Sequence, residues 1–255
     1  MVLQVDLGWL LTTMLASIRI AAATLLAPVF GLAKIPASVK VLLGLTLSAC
    51  LVSALALPGP GDNVTLAALL RAALREATIG LAFGFGFMAA HAATQVAGRI
   101  LDVQVGFGAA SVLNPATQVP SPLIGTLFGM TMVAAFLALD GHHLLIRALT
   151  SSLIQLPPNS IADFDVIGVI RQSAVMFSFG LALAAPVMFM LLLSDVAMAV
   201  FARSMPQLNV LLLSFAVKII VGVVGLALTI GLTRALFDGL FESTFVYWNN
   251  LAGRP

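Results

Sequence analysis

His91, His142 and His143 are the side chains best suited to hold a metal or pass a proton in this sequence, and their spacing favours neither. His142 and His143 are neighbours, which on a helix turns them to different faces, and no cysteine or carboxylate cluster joins them, so zinc is not expected. With Asp140 they read as a helix-terminal turn rather than a proton relay. The single cysteine, Cys50, lies in an apolar run, which excludes an internal disulfide and reads as a small buried side chain. H-E-x-x-H, G-x-S-x-G and P-loop strings are absent. Gly84-Phe85-Gly86 lies inside a hydrophobic stretch and lacks the third glycine of a dinucleotide fingerprint. Neither catalysis nor a cofactor is expected, and twelve basic against ten acidic residues leave no footprint for nucleic acid.

Two cations are the chemistry that remains. Arg19 and Lys218 stand near the middle of long apolar stretches, where each costs roughly 2.5–3.5 kcal/mol. Glu76 and Asp195 fall at the ends of such stretches, and on ideal helices Asp195 lies about nine to ten residues in depth from Lys218, so no carboxylate is expected opposite either cation. Either the cations snorkel to an interface, or partner chains or a water-filled lumen satisfy them.

The elements that must position these groups are membrane helices. The chain is 61% apolar and 9% charged with a mean hydropathy of +1.12, far from the roughly 25% charged of soluble domains. About twenty apolar residues are needed to span hydrocarbon. Six windows come close: Leu7 to Val29, Val39 to Leu57, Ala77 to Val96, Leu123 to Leu139, Met176 to Leu193 and Val210 to Leu232. The first carries no cation before it and is too long for a signal-peptide core, so it is expected to be retained. Pro58-Gly59-Pro60-Gly61 ends the second, and Asp62, Asn63 or Thr65 can cap a helix from Leu66 that carries Arg71 and Arg75 on one face. Pro157-Pro158-Asn159-Ser160 with Asp163 and Asp165 reads as an aqueous loop. Gly80, Gly84 and Gly86 permit close helix approach. Lys and Arg divide almost evenly between alternate loops, so they barely set an orientation. The fold class is all-α integral membrane protein, with about six long helices and no domain boundary.

One segment breaks the pattern. From Asp102 through Gln104, Gly106, Phe107, Gly108, Ser111, Asn114 and Pro115 to Pro120 and Pro122, glycines loosen the backbone and three prolines forbid a helix, yet the surroundings stay apolar. It is either a surface turn or irregular backbone buried by protein or facing a water-filled cavity.

Several strings, in this order, resemble the FliR family of flagellar export proteins, equivalent to SctT of injectisomes. Arg19 with Pro28, Pro36 and Lys40 comes first. Gln95-Val-Ala-Gly98-Arg-Ile-Leu-Asp102-Val-Gln104-Val-Gly106-Phe107 with Asn114-Pro115 follows, then Asp140-Gly141-His142 and Leu156-Pro157. The most specific is Arg203-Ser-Met-Pro206-Gln207-Leu208-Asn209-Val210 with Lys218 eight residues on. Asn114 replaces a usual Asp and Ala216 a frequent Pro. The Arg-x-x-Pro-Gln-x-Asn string leans to the flagellar branch.

The resemblance implies a non-catalytic, single-copy subunit of a helically arranged export gate in the bacterial inner membrane, at a flagellar basal body or injectisome base. Its partners would be several FliP-like and FliQ-like chains, a FlhB-like subunit and the export-gate ring, with membrane lipid around it and unfolded export substrates passing through. The chain would be one membrane domain, 1–255, built of hairpins, with 1–165 FliP-like and 166–255 a FliQ-like C-terminal hairpin. Gly106, Phe107, Gly108, Val112, Leu113, Asn114 and Pro115 would belong to a gate plug. Arg19, Gln95, Asp102, Gln104, Arg203, Pro206, Gln207, Asn209 and Lys218 would serve subunit packing or a polar network. A secondary transporter or channel acting alone, and a transient assembly factor, are the competing functions.

Overall fold

A computed structural model describes residues 7–26, 36–59, 65–107, 122–158, 166–205 and 209–251. Among the described residues eight helices run along the chain: α1 (Leu7–Leu26), α2 (Ala37–Leu55), α3 (Leu66–Val105), α4 (Leu123–Ala138), α5 (Gly141–Gln155), α6 (Val166–Ser204), α7 (Val210–Leu228) and α8 (Ile230–Leu251). Every regular element among the described residues is a helix, the all-α class expected from composition.

Each apolar window marks a helix, but the helices outgrow or break the windows. Ala77 to Val96 is the middle of α3, and Met176 to Leu193 is the interior of α6, which continues through Pro186. Leu123 to Leu139 is α4, which turns through 67° into α5, and Val210 to Leu232 contains the 60° break between α7 and α8. Alone, α1, α2, α3 and α6 are long and apolar enough to cross a bilayer; the bent pairs α4–α5 and α7–α8 pass only together. Thr65 Oγ1 accepts from Ala68 N at the start of α3, as expected of a cap. Asp62, Asn63, Asp163 and Asp165 lie outside the described residues.

The chain forms two compact units that interleave in sequence: residues 1–89, 136–173 and 243–255, and residues 90–135 and 174–242. In the first unit, α1 packs on α2 and on the first part of α3. Gly80 and Gly84 lie directly on α1: a Cβ at Gly84 would sit 2.6 Å from Ala23 O and 2.8 Å from Leu26 Cβ. The expected close approach is therefore real, and it repeats at four-residue steps on both helices, 80 on 19 and 84 on 23. At the end of α8, Tyr247 Oη donates to Ala82 O (2.9 Å) and Trp248 Nε1 to Phe83 O (2.8 Å), while Gly86 leaves room for both rings. In the second unit, Ala90, Ala93, Ala97, Leu101 and Val105 form one buried stripe on α3, and Leu183, Val187 and Leu191 one on α6.

Much apolar surface still points outward, including Val41 and Leu42 on α2 and Phe177, Phe189 and Val200 on α6. Such faces suit lipid or a neighbouring subunit rather than water. Cys50 belongs to this outward surface, correcting the expectation that it is buried. An apolar run marks membrane depth, not which side of the helix meets protein.

Candidate functional site

The groups that could do chemistry at membrane depth are tied to one another inside the chain. In the first unit the Arg19 guanidinium is completely buried and grips the equally buried Glu76 carboxylate with two hydrogen bonds, Nε to Oε2 at 2.6 Å and Nη2 to Oε1 at 2.9 Å. Nη1 donates to Ser152 Oγ (3.1 Å), and Nη2 also donates to Leu156 O (2.7 Å) at the end of α5. One side chain thus joins α1, α3 and α5. The bidentate fork matches guanidinium to carboxylate, the strong form of such a pair. The absence of a side chain at Gly80 lets the Arg19 backbone reach α3 and sets the depth of the grip.

In the second unit Lys218 Nζ lies 2.8 Å from Asp195 Oδ1, with both side chains partly exposed. Both pairs overturn the expectation that no carboxylate meets these cations. Asp195 is eleven residues before Pro206 and Lys218 eleven after Gln207, so an antiparallel α6–α7 hairpin puts them at equal depth. Counting from the ends of apolar windows hid this, because the window Met176 to Leu193 ends two residues short of Asp195. Glu76 was hidden the same way, one residue outside a window beginning at Ala77.

Asp102 makes a third tie. Its carboxylate, almost fully buried, accepts from Ile124 N (3.0 Å) and Gly125 N (3.1 Å), capping the start of α4 from the end of α3. Helix starts expose unpaired N–H groups beside a positive dipole end, and a carboxylate satisfies both. Gln95 lies half-buried beside it, its amide against Gly125 and Gly129. Gly106 follows α3 with φ +98°, a conformation glycine adopts freely, and the Phe215 ring fills the space where a Cβ would stand. Gln104 is exposed, and Phe107 half-buried. Asn209 caps α7 by accepting from Leu212 N (3.4 Å), and Arg203 is exposed in the last turn of α6. Gly108, Val112, Leu113, Asn114, Pro115, Pro206 and Gln207 lie outside the described residues.

The structure also corrects the reading of the histidines. His142 and His143 have ring centroids 4.2 Å apart, and His143 Nδ1 lies 3.6 Å from Asp140 Oδ1. Asp140, in the left-handed region at φ 54°, directly precedes the first residue of α5. Asp140, His142 and His143 offer ligand atoms within 4.8 Å of one another. A cation could be held there, although the positive end of the α5 dipole opposes it.

The family profile described as "Bacterial export proteins, family 1" matches residues 10–244. The chain belongs to that family. It is 30% identical over 243 residues to a flagellar biosynthetic protein FliR of Bacillus subtilis, covering 93% of each chain. It is 28% identical over 241 residues to a FliR of Escherichia coli, covering 94% of this chain and 92% of that one. A surface presentation of antigens protein SpaR of Shigella sonnei is 28% identical over 144 residues, 56% of each chain. These matches bear out the family read from the sequence, and with the long apolar helices they make this export-family member a multi-pass membrane protein.

Proposed function

We propose that the chain is a structural, pore-forming subunit of the type III protein export gate of the bacterial inner membrane. It would assemble with FliP-like and FliQ-like subunits, beside a FlhB-like subunit and the export-gate ring, to pass unfolded substrates. Membership of the family makes it a component of the flagellar or type III export apparatus; the pore, the partners and the membrane are the finer reading. The family match along residues 10–244 carries it. One structural feature supports it: broad apolar faces on α2 and α6 remain for lipid and neighbours.

Within this reading residues 1–165 are FliP-like and 166–255 a FliQ-like hairpin, and the stretch from Gly106 to Pro122 plugs the closed gate. A small-residue stretch carrying Phe107, Val112 and Leu113 can fill and dewet a pore and still swing aside. Arg203, Pro206, Gln207 and Asn209 bind neighbouring helices at the hairpin tip. Deleting Gly106 to Ala110 is expected to leave the complex assembled but leaky to small ions in a conductance assay; an assembled and tight channel sinks the plug.

The deciding experiment is native mass spectrometry of a tagged chain purified in mild detergent. One copy with several FliP-like and FliQ-like chains supports the proposal. The partly exposed Asp195–Lys218 pair favours one rival, a secondary transporter, because ionisable groups at membrane depth often mark ion routes. A lone chain with substrate-dependent flux in liposomes would establish that rival.

A further inference from the structure

A cavity of about 380 Å³ opens in the first unit between α5 and α8. Three polar side chains line it: Arg147 and Ser151 from successive turns of α5, and Asn249 from the last turn of α8. Leu144, Phe245 and Trp248 form its apolar wall. Trp248 is fixed there, with its indole N–H committed to Phe83 O and its ring 5.8 Å from that of Phe245. Among the described residues Arg147 has no carboxylate partner, unlike Arg19 and Lys218, and no Asp or Glu lines the cavity.

We propose that this cavity binds the phosphodiester headgroup of an anionic phospholipid. Its volume suits a small ligand, in the roughly 300–1,000 Å³ range of such sites, and holds a headgroup and glycerol rather than acyl chains. Arg147 is six residues into α5, about 9 Å from its start, and Asn249 is two residues from Leu251. Both are exposed; Asn249 sits in the last turn of α8, where a Trp side chain is at home near the headgroup layer, and Arg147, one residue from the middle of α5, lines the same cavity with a long guanidinium stem. Arg147 supplies the fork for phosphate oxygens, Asn249 and Ser151 supply further donors, and Leu144 with Phe245 takes the glycerol and first methylenes. Selectivity for a net negative lipid follows from the lining: a choline or ethanolamine cation finds no carboxylate there and meets Arg147 instead. Asp140 is a turn or more away beside His143. Basic pockets between membrane helices take anionic headgroups by the same logic.

The test is native mass spectrometry of the full chain, delipidated with whatever subunits accompany it and titrated with phosphatidylglycerol, phosphatidylcholine or inorganic phosphate. We expect one phosphatidylglycerol per copy of this chain, held at least tenfold more tightly than phosphatidylcholine. Arg147→Ala is expected to abolish that preference and Arg147→Lys to keep most of it. Leu144→Trp, which fills the cavity and leaves the charge, is expected to exclude the lipid. Millimolar inorganic phosphate is expected not to displace it, since phosphate lacks the apolar part. Equal binding of the two lipids, an unchanged preference in Arg147→Ala, or full displacement by inorganic phosphate would each overturn the proposal, the last by making the site one for free phosphate.

Discussion

Removing the guanidinium of Arg19 strands the Glu76 carboxylate in a place with no exposure to water. Breaking one side of a fully buried pair costs about 3–5 kcal/mol, whereas replacing both members by apolar groups of similar volume is often near neutral. Arg19→Leu and Glu76→Leu are each expected to lower stability by about that much in detergent unfolding, and the double variant to recover most of it. A double variant as unstable as the singles would place the main role of Arg19 in its bonds to Ser152 and Leu156. Asp102→Ala removes two charge-assisted bonds to backbone amides, each worth roughly 1.5–3 kcal/mol, and hydrogen exchange at Ile124 and Gly125 is expected to accelerate. At this scale the sequence was half legible. The expensive cations stood out by position inside apolar windows, but their partners did not, because Glu76 and Asp195 lie one and two residues beyond the ends of theirs. His142 and His143 misled for another reason: the expectation set the two rings against each other, while Asp140, just before α5, is the group that the turn brings to them.

Elements were legible where they are uniformly apolar and obscure where they are two-sided. The reading by windows missed α5 and most of α8, although both carry periodic signals. Leu145, Leu149 and Leu153 are buried on α5 at steps of four, and Phe237, Phe241, Thr244, Trp248 and Leu251 on α8 at steps of four and three. Counting apolar repeats at helical period would have found them. The small-residue face of α3 was legible because glycine at four-residue spacing has a direct steric meaning. Gly84→Leu therefore belongs to the element scale: its side chain has nowhere to go against the α1 backbone. It is expected to cost about 1–3 kcal/mol by overpacking, read as a lower unfolding midpoint, whereas a substitution at Gly231, with open space around it, is expected to pass without that penalty.

For the molecule as a whole, the outward apolar faces say more than the core. The buried share of α2 is small, and a helix so bare in isolation has to be covered by lipid or by another chain. Cys50, the one cysteine, reports on this directly: maleimide addition needs a hydrated thiolate, so in native membranes it is expected to resist a charged, membrane-impermeant maleimide and to react once the protein is unfolded in detergent. Ready labelling by the charged reagent would show that α2 borders water. The Asp195–Lys218 pair has a consequence for how the chain is made. Asp195 leaves the ribosome well before Lys218, and either charge alone in hydrocarbon costs roughly 2.5–3.5 kcal/mol. The two arms of the hairpin therefore enter the bilayer most easily together, so the insertion machinery must shelter the first arm until the second has been synthesised.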